Sequence, residues 1–205
     1  MRQRGDTIVE VMLAFAVFSL VSVGSMIVMG QGTNASQRAL EITLVRQQLD
    51  AQAEALRAAQ QAFTVAPPGT STTWSAIATG RTIDDSTHFT MQDRCPAGVS
   101  DVNNSFIMDP RDGSAITTGG WLGNINESVD DKSPPPYAQL VIDPSKSASD
   151  DSAVKPYGIW IEREYLDNGG GIGSYNFIIR ACWYSVGLDA PMQLETVVRL
   201  YAPAS

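Results

Sequence analysis

Residue types that carry chemistry are scarce in this 205-residue chain, which holds one histidine, His88, and two cysteines, Cys95 and Cys182. One imidazole cannot build a multi-histidine metal centre, and two cysteines without Cys-x-x-Cys spacing give neither a zinc site nor a redox motif. His-Glu-x-x-His, Gly-x-Ser-x-Gly and Walker patterns are also missing. His88 lies in a polar, Thr-rich stretch and reads as a residue without chemical duty. The sequence therefore gives no reason to expect an enzyme, a cofactor or a metal. Basic residues are a minority as well: 14 Lys and Arg face 22 Asp and Glu, for a formal net charge of -8. Such a surface repels phosphate backbones, so no nucleic-acid partner is expected.

The features that are present mostly fall short of a site. Gly169, Gly171 and Gly173 superficially resemble a phosphate-cradling loop, but Asp167 precedes them and a strand pattern follows, so they read as a hairpin turn. The pairs Asp84-Asp85, Asp130-Asp131 and Asp150-Asp151 lack EF-hand spacing and read as solvated loop acid, with calcium the minority alternative. The four tryptophans read by default as core aromatics, and for Trp74 and Trp121, in loop-like surroundings, an adhesive contact is also left open.

Charge is almost absent from Ile8 to Met29, IVEVMLAFAVFSLVSVGSMIVM, whose one ionisable side chain is Glu10. About 22 residues make roughly 33 Å of helix, enough for a bilayer core of about 30 Å. Arg2, Arg4 and the amino terminus precede this run and a polar flank follows Gly32, so the positive-inside rule places Met1 in the cytoplasm and the remainder outside. A cleaved secretory signal fits less well. The run is too long, no Ala-x-Ala-like site follows, and helix-forming sequence continues beyond it. A carboxylate in such a run costs on the order of 1 to 3 kcal/mol unless it is hydrated near the headgroups or paired.

The order Arg4-Gly5-Asp6-Thr7-Ile8-Val9-Glu10, followed by the apolar run, resembles the cleavage and methylation signature of type IV prepilins and type II secretion pseudopilins. The likeness covers roughly the first 30 residues. It implies cutting after Gly5 by a prepilin peptidase and N-methylation of the new terminus at Asp6. It further implies that Thr7 and Glu10 serve subunit assembly, Glu10 pairing with the amine of a neighbouring subunit. Implied partners are other pilin subunits, the peptidase and an inner-membrane assembly platform. The implied location is a single-pass cytoplasmic membrane protein that later joins a surface filament. Asp6 departs from the family's usual Phe, and the frequent helix-kinking proline is missing, although Gly24, Gly30 and Gly32 could soften the helix. The expected function is a structural subunit, minor pilin or pseudopilin; the alternative is an adhesin or DNA-uptake module on the same scaffold.

Beyond the polar patch from Gln31 to Ser36, strong helix formers run without Pro to Pro67, predicting helix to about Phe63. Ile42, Val45, Leu49, Ala53, Leu56, Ala59 and Phe63 form one apolar stripe at three-four spacing. Pro67-Pro68-Gly69 marks a turn. Strands are expected at Phe106 to Met108, Ala138 to Ile142, Gly158 to Tyr165, Tyr175 to Tyr184 and Gln193 to Tyr201, the last three as a meander. The organisation expected is a leader (1–5), a transmembrane helix (6–30), its amphipathic continuation (31–63) and an exported β-rich head (64–205). The fold class is α+β, a long N-terminal helix packed on an antiparallel sheet. An exported head favours a Cys95–Cys182 disulfide over two buried thiols.

Overall fold

The computed structural model describes residues 6–67, 70, 72–80, 95–96, 105–117, 136–146, 153–167 and 173–201. The class is α+β. Helix α1 spans Asp6–Val65 and α2 spans Thr73–Gly80. The strands are β1 (Phe106–Met108), β2 (Ala115–Thr117), β3 (Gln139–Ile142), β4 (Val154–Tyr157), β5 (Ile159–Asp167), β6 (Gly173–Trp183) and β7 (Met192–Tyr201). The chain divides into two compact units, Met1–Leu40 and Glu41–Ser205.

The first unit is the N-terminal part of α1, which stays helical through Gly24, Gly30 and Gly32. Those glycines face open space, where an added Cβ would meet nothing within 4 Å. The helix formers on either side supply the propensity that each isolated glycine lowers by about 1 kcal/mol.

The second unit holds the rest of α1, α2 and two antiparallel sheets. One has five strands in the order β2-β1-β5-β6-β7 and the other pairs β3 with β4. The meander is present: nine residue pairs join β5 to β6, from Ile159↔Ala181 to Asp167↔Gly173, and ten join β6 to β7. Period-two alternation sends Ile159, Ile161, Phe177, Ile179, Ala181, Trp183, Val198 and Leu200 into one core. The stripe on α1 packs into that same core through Val45, Leu49, Ala53, Leu56 and Ala59, with Ile42 and Phe63 at its margins. This burial of one helix face, rather than helix propensity, holds the upper part of α1 in place.

Polar side chains fix the register of that packing. Gln52, 1% exposed, donates from Nε2 to the Met108 carbonyl at 2.9 Å and accepts the Met108 amide at 2.7 Å. Its primary amide thus supplies β1 with a partner as a neighbouring strand would. Higher on the helix, Trp183 Nε1 donates to Glu41 Oε2 at 3.1 Å. At the far end Gln60 donates to the Tyr201 carbonyl at 2.8 Å.

Helix α2 and strands β2 and β4 are additions to the expected elements. Thr72 begins α2 by accepting the Ser75 amide while its own amide donates to Ser75 Oγ, a reciprocal cap with Ser in the place usual for Glu. Arg163 closes the other end by donating to the carbonyls of Ile77 and Ala78, where a cation meets the negative end of the helix. Trp74 is therefore no loop residue. It is 2% exposed and packs edge-on against Tyr175 and Phe177 at 5.9 and 5.7 Å, a core aromatic as the default reading has it, and the adhesive alternative falls away for this residue. Trp160 and Trp183 are buried as expected. Trp121, His88, the three acidic pairs, Gly169 and Gly171 lie outside the described residues, while Gly173 opens β6.

Cys95 and Cys182 form a disulfide with Cα atoms 5.5 Å apart, 87 positions apart in sequence. Closing a loop of that length stabilises the fold by roughly 4 to 5 kcal/mol on the chain-entropy model.

Candidate functional site

No charged side chain interrupts α1 between Glu10 and Gly30, and its apolar side chains point outward on every face. Val11, the most covered of the large ones, is 52% exposed, and Leu20 reaches 77%. An ordinary surface helix hides one apolar stripe, whereas a helix apolar all round belongs in lipid or among other helices. Among the described helices this is the one long and apolar enough to cross a membrane, and its apolar window is wholly unburied.

Local bonding makes the contrast with Glu10 sharper. Ser19 donates to the Phe15 carbonyl at 2.8 Å and Ser25 to the Val21 carbonyl at 2.9 Å, so these two hydroxyls are satisfied within the helix. Thr33 does the same with Gly30 at 2.9 Å. Glu10 is exposed and is the single ionisable group of the run. In a medium without water its carboxylate needs a cation or donors from outside this helix.

Of the remaining expected site residues, Asp6 and Thr7 open α1, one turn before Glu10, and Gly5 lies outside the described residues. Cys95 and Cys182 belong to the other unit, where their bond is structural.

A second constellation, on the face of the five-stranded sheet turned away from α1, was not anticipated from the sequence. Trp160 Nε1 donates to Glu162 Oε1 at 2.8 Å, and Glu162 meets Arg180 at 3.3 Å. Arg180 also reaches Glu195 at 3.5 Å. One row further along, Arg199 donates to Asn176 Oδ1 at 2.8 Å while Asn176 donates to Glu164 Oε2 at 2.9 Å. The signal for it lay in β5, where Trp160, Glu162 and Glu164 alternate with Ile159 and Ile161. Each carboxylate here is matched by a donor, an arrangement that ties three strands together. Among the described residues, no group of three His, Cys, Asp or Glu side chains could hold a metal ion.

The apolar helix with its lone carboxylate is therefore the candidate site, and what it can do is associate. Comparison of the chain with protein-family models, with curated proteins and with solved structures returns no match.

Proposed function

We propose that this chain is a structural subunit of an extracellular filament of the type IV pilin or type II secretion pseudopilin kind. Its precursor sits in the cytoplasmic membrane with Met1 inside and the sheet-bearing unit outside. A prepilin peptidase cuts after Gly5, the amine of Asp6 is methylated, and an inner-membrane platform moves the subunit into the growing fibre. There the N-terminal helices bundle, and Glu10 of one copy faces the terminal amine of the next.

The observation that carries this reading is the solitary carboxylate of Glu10 on a helix otherwise apolar on all sides. A lone acid in that setting costs on the order of 1 to 3 kcal/mol. An amine at about 4 Å returns roughly 4 kcal/mol even at an effective dielectric constant near 20, so pairing offsets the penalty and hydration is not needed. The Gly5-Asp6-Thr7 sequence supports the reading too, since a glycine lets a protease approach the backbone closely.

Mass spectrometry of the amino-terminal peptide from native cells tests it. The expected mature chain begins at Asp6 with a methylated amine, and Glu10→Ala is expected to lower recovery of the subunit in sheared filaments while leaving it in the membrane. A mature chain that begins at Met1, or undiminished incorporation of Glu10→Ala, overturns the proposal.

A further inference from the structure

Strand β7 ends the five-stranded sheet and, among the described residues, is its longer open edge. All ten of its residues pair with β6 without a bulge, and among the described residues no strand lies on its other side. Alternate residues of an antiparallel strand turn both backbone groups away from their partner, so β7 presents a row of donors and acceptors to its open side. Proteins that avoid edge pairing shorten such strands, bulge them, or place Pro or Lys within them. The opposite edge, β2, is short at three residues, whereas β7 is long and has no bulge, Pro or Lys, its charged side chains being Glu195 and Arg199. Its last carbonyl, that of Tyr201, accepts a bond from the side chain of Gln60 on α1.

We infer that β7 pairs antiparallel with β7 of a second copy of this chain, about a two-fold axis at Val197. The charges on the strand select both the partner and the register. In a two-fold antiparallel pair, facing residues share a sheet face, so the axis must pass through one residue. An axis at Glu195 or Arg199 sets like charges against each other. An axis at Thr196 or Val198 sets each of those charges against an uncharged side chain. An axis at Val197 sets Glu195 against Arg199 twice, and Leu194 against Leu200 twice on the other face. Val197, 54% exposed on one copy, then meets Val197 of the other. Directly opposed side chains have Cβ atoms roughly 4.5 to 5.5 Å apart, close enough for ion pairs and apolar contact. This contact joins two sheets and is separate from the helix packing proposed above.

Self-crosslinking of the full chain in detergent, with Val197→Cys as the probe and a short bismaleimide, tests the inference; Ile142→Cys on β3 serves as the control for random collision. Val197→Cys is expected to give a dimer well above that control. Glu195→Arg and Arg199→Glu, each added to the probe, are expected to lower the crosslinked fraction roughly fivefold to tenfold, because like charges then oppose twice. An equimolar mixture of these two variants, one carrying a mass tag, is expected to restore crosslinking as mixed dimer, since every opposed pair is again complementary. Circular dichroism and oxidation of Cys95–Cys182 identify any variant that fails to fold, and Arg199→Glu keeps the Arg180–Glu195 contact intact. Yield no higher than the Ile142→Cys control, crosslinks to a different protein, or a mixture no better than its components overturns the inference. Loss of Glu10 leaves this crosslink unchanged, so its failure is distinct from that of the filament proposal.

Discussion

The carbonyl of Gly158 accepts the amide of Cys182 at 2.9 Å, and a Cβ at position 158 would drive into the Cys182 carbonyl oxygen. Gly158 has φ of +67°, sits between β4 and β5, and thereby passes the chain from the two-stranded sheet to the five-stranded one. The same backbone contact seats Cys182 for its bond to Cys95. Left-handed backbone costs a residue with a side chain about 1 to 2 kcal/mol, and here a backbone collision adds to it. Gly113 has φ of +73° in open space and isolates the first term. Chemical unfolding of the full chain in detergent is expected to show Gly158→Ala losing at least about 2 kcal/mol more than Gly113→Ala. Equal losses would mean that the β4–β5 passage gives way easily.

How much of this was readable from the sequence follows from which interactions are local. The stripe from Ile42 to Phe63 and the strands β1, β3, β5, β6 and β7 carry their own periodicity, and the structure places them within a few residues of expectation. Strand β4, VKPY, hides because Pro156 argues against a strand; the two-stranded sheet tolerates it because, among the described residues, no strand on the other side of β4 asks for a donor there. Strand β2 has three residues and is defined only by its pairing with β1. Helix α2, TWSAIATG, is too short for its pattern to rise above its Thr, Ser and Trp content, and its ends are closed by Thr72 locally and by Arg163 from 86 positions away. At the candidate site the run around Glu10 announced itself because a single charge stands out among apolar neighbours. The bonds of Gln52 and Glu41 did not, since a polar residue beside an apolar stripe looks solvated until its partner strand is known.

Gln52 gives the second test. Met108 is fully buried, and its amide and carbonyl both end on the Gln52 side chain. Gln52→Leu strands both backbone groups without water, at roughly 1 to 3 kcal/mol for each, so a loss of about 2 to 6 kcal/mol in unfolding free energy is expected. Gln52→Glu retains the acceptor for the amide but can donate to the carbonyl only when protonated. Burial raises that carboxyl above its ordinary value, so its stabilising bond is present at low pH and lost as pH rises through the folded value. The Glu variant is therefore expected to gain stability relative to wild type on acidification, and the Leu variant to show no such gain. Identical pH dependence in the two variants would place the Gln52 contribution in packing alone.

The β1–β2 turn supplies the third test, with the opposite sign. Asp112 accepts the Ser114 amide at 2.8 Å, and that bond, followed by one from the Ser114 side chain, holds its carboxyl below the ordinary 3.8. A carboxyl lowered in the folded state stabilises fully above its unfolded value and loses that contribution as pH falls through the folded one. Asp112→Asn removes the proton linkage, so the acid side of its stability profile is expected to be shallower than wild type while the two run parallel at neutral pH. The group is largely exposed, so the difference is small and is best read as a change in slope below pH 3.8. Asp143 is held down in the same direction by the Ser145 hydroxyl, which it accepts at 2.6 Å, in a turn on the other sheet. The two sites share no partner, so Asp112→Asn and Asp143→Asn are expected to flatten the slope additively. A double variant with the slope of either single one would show that the two turns titrate as a coupled unit through the sheets between them.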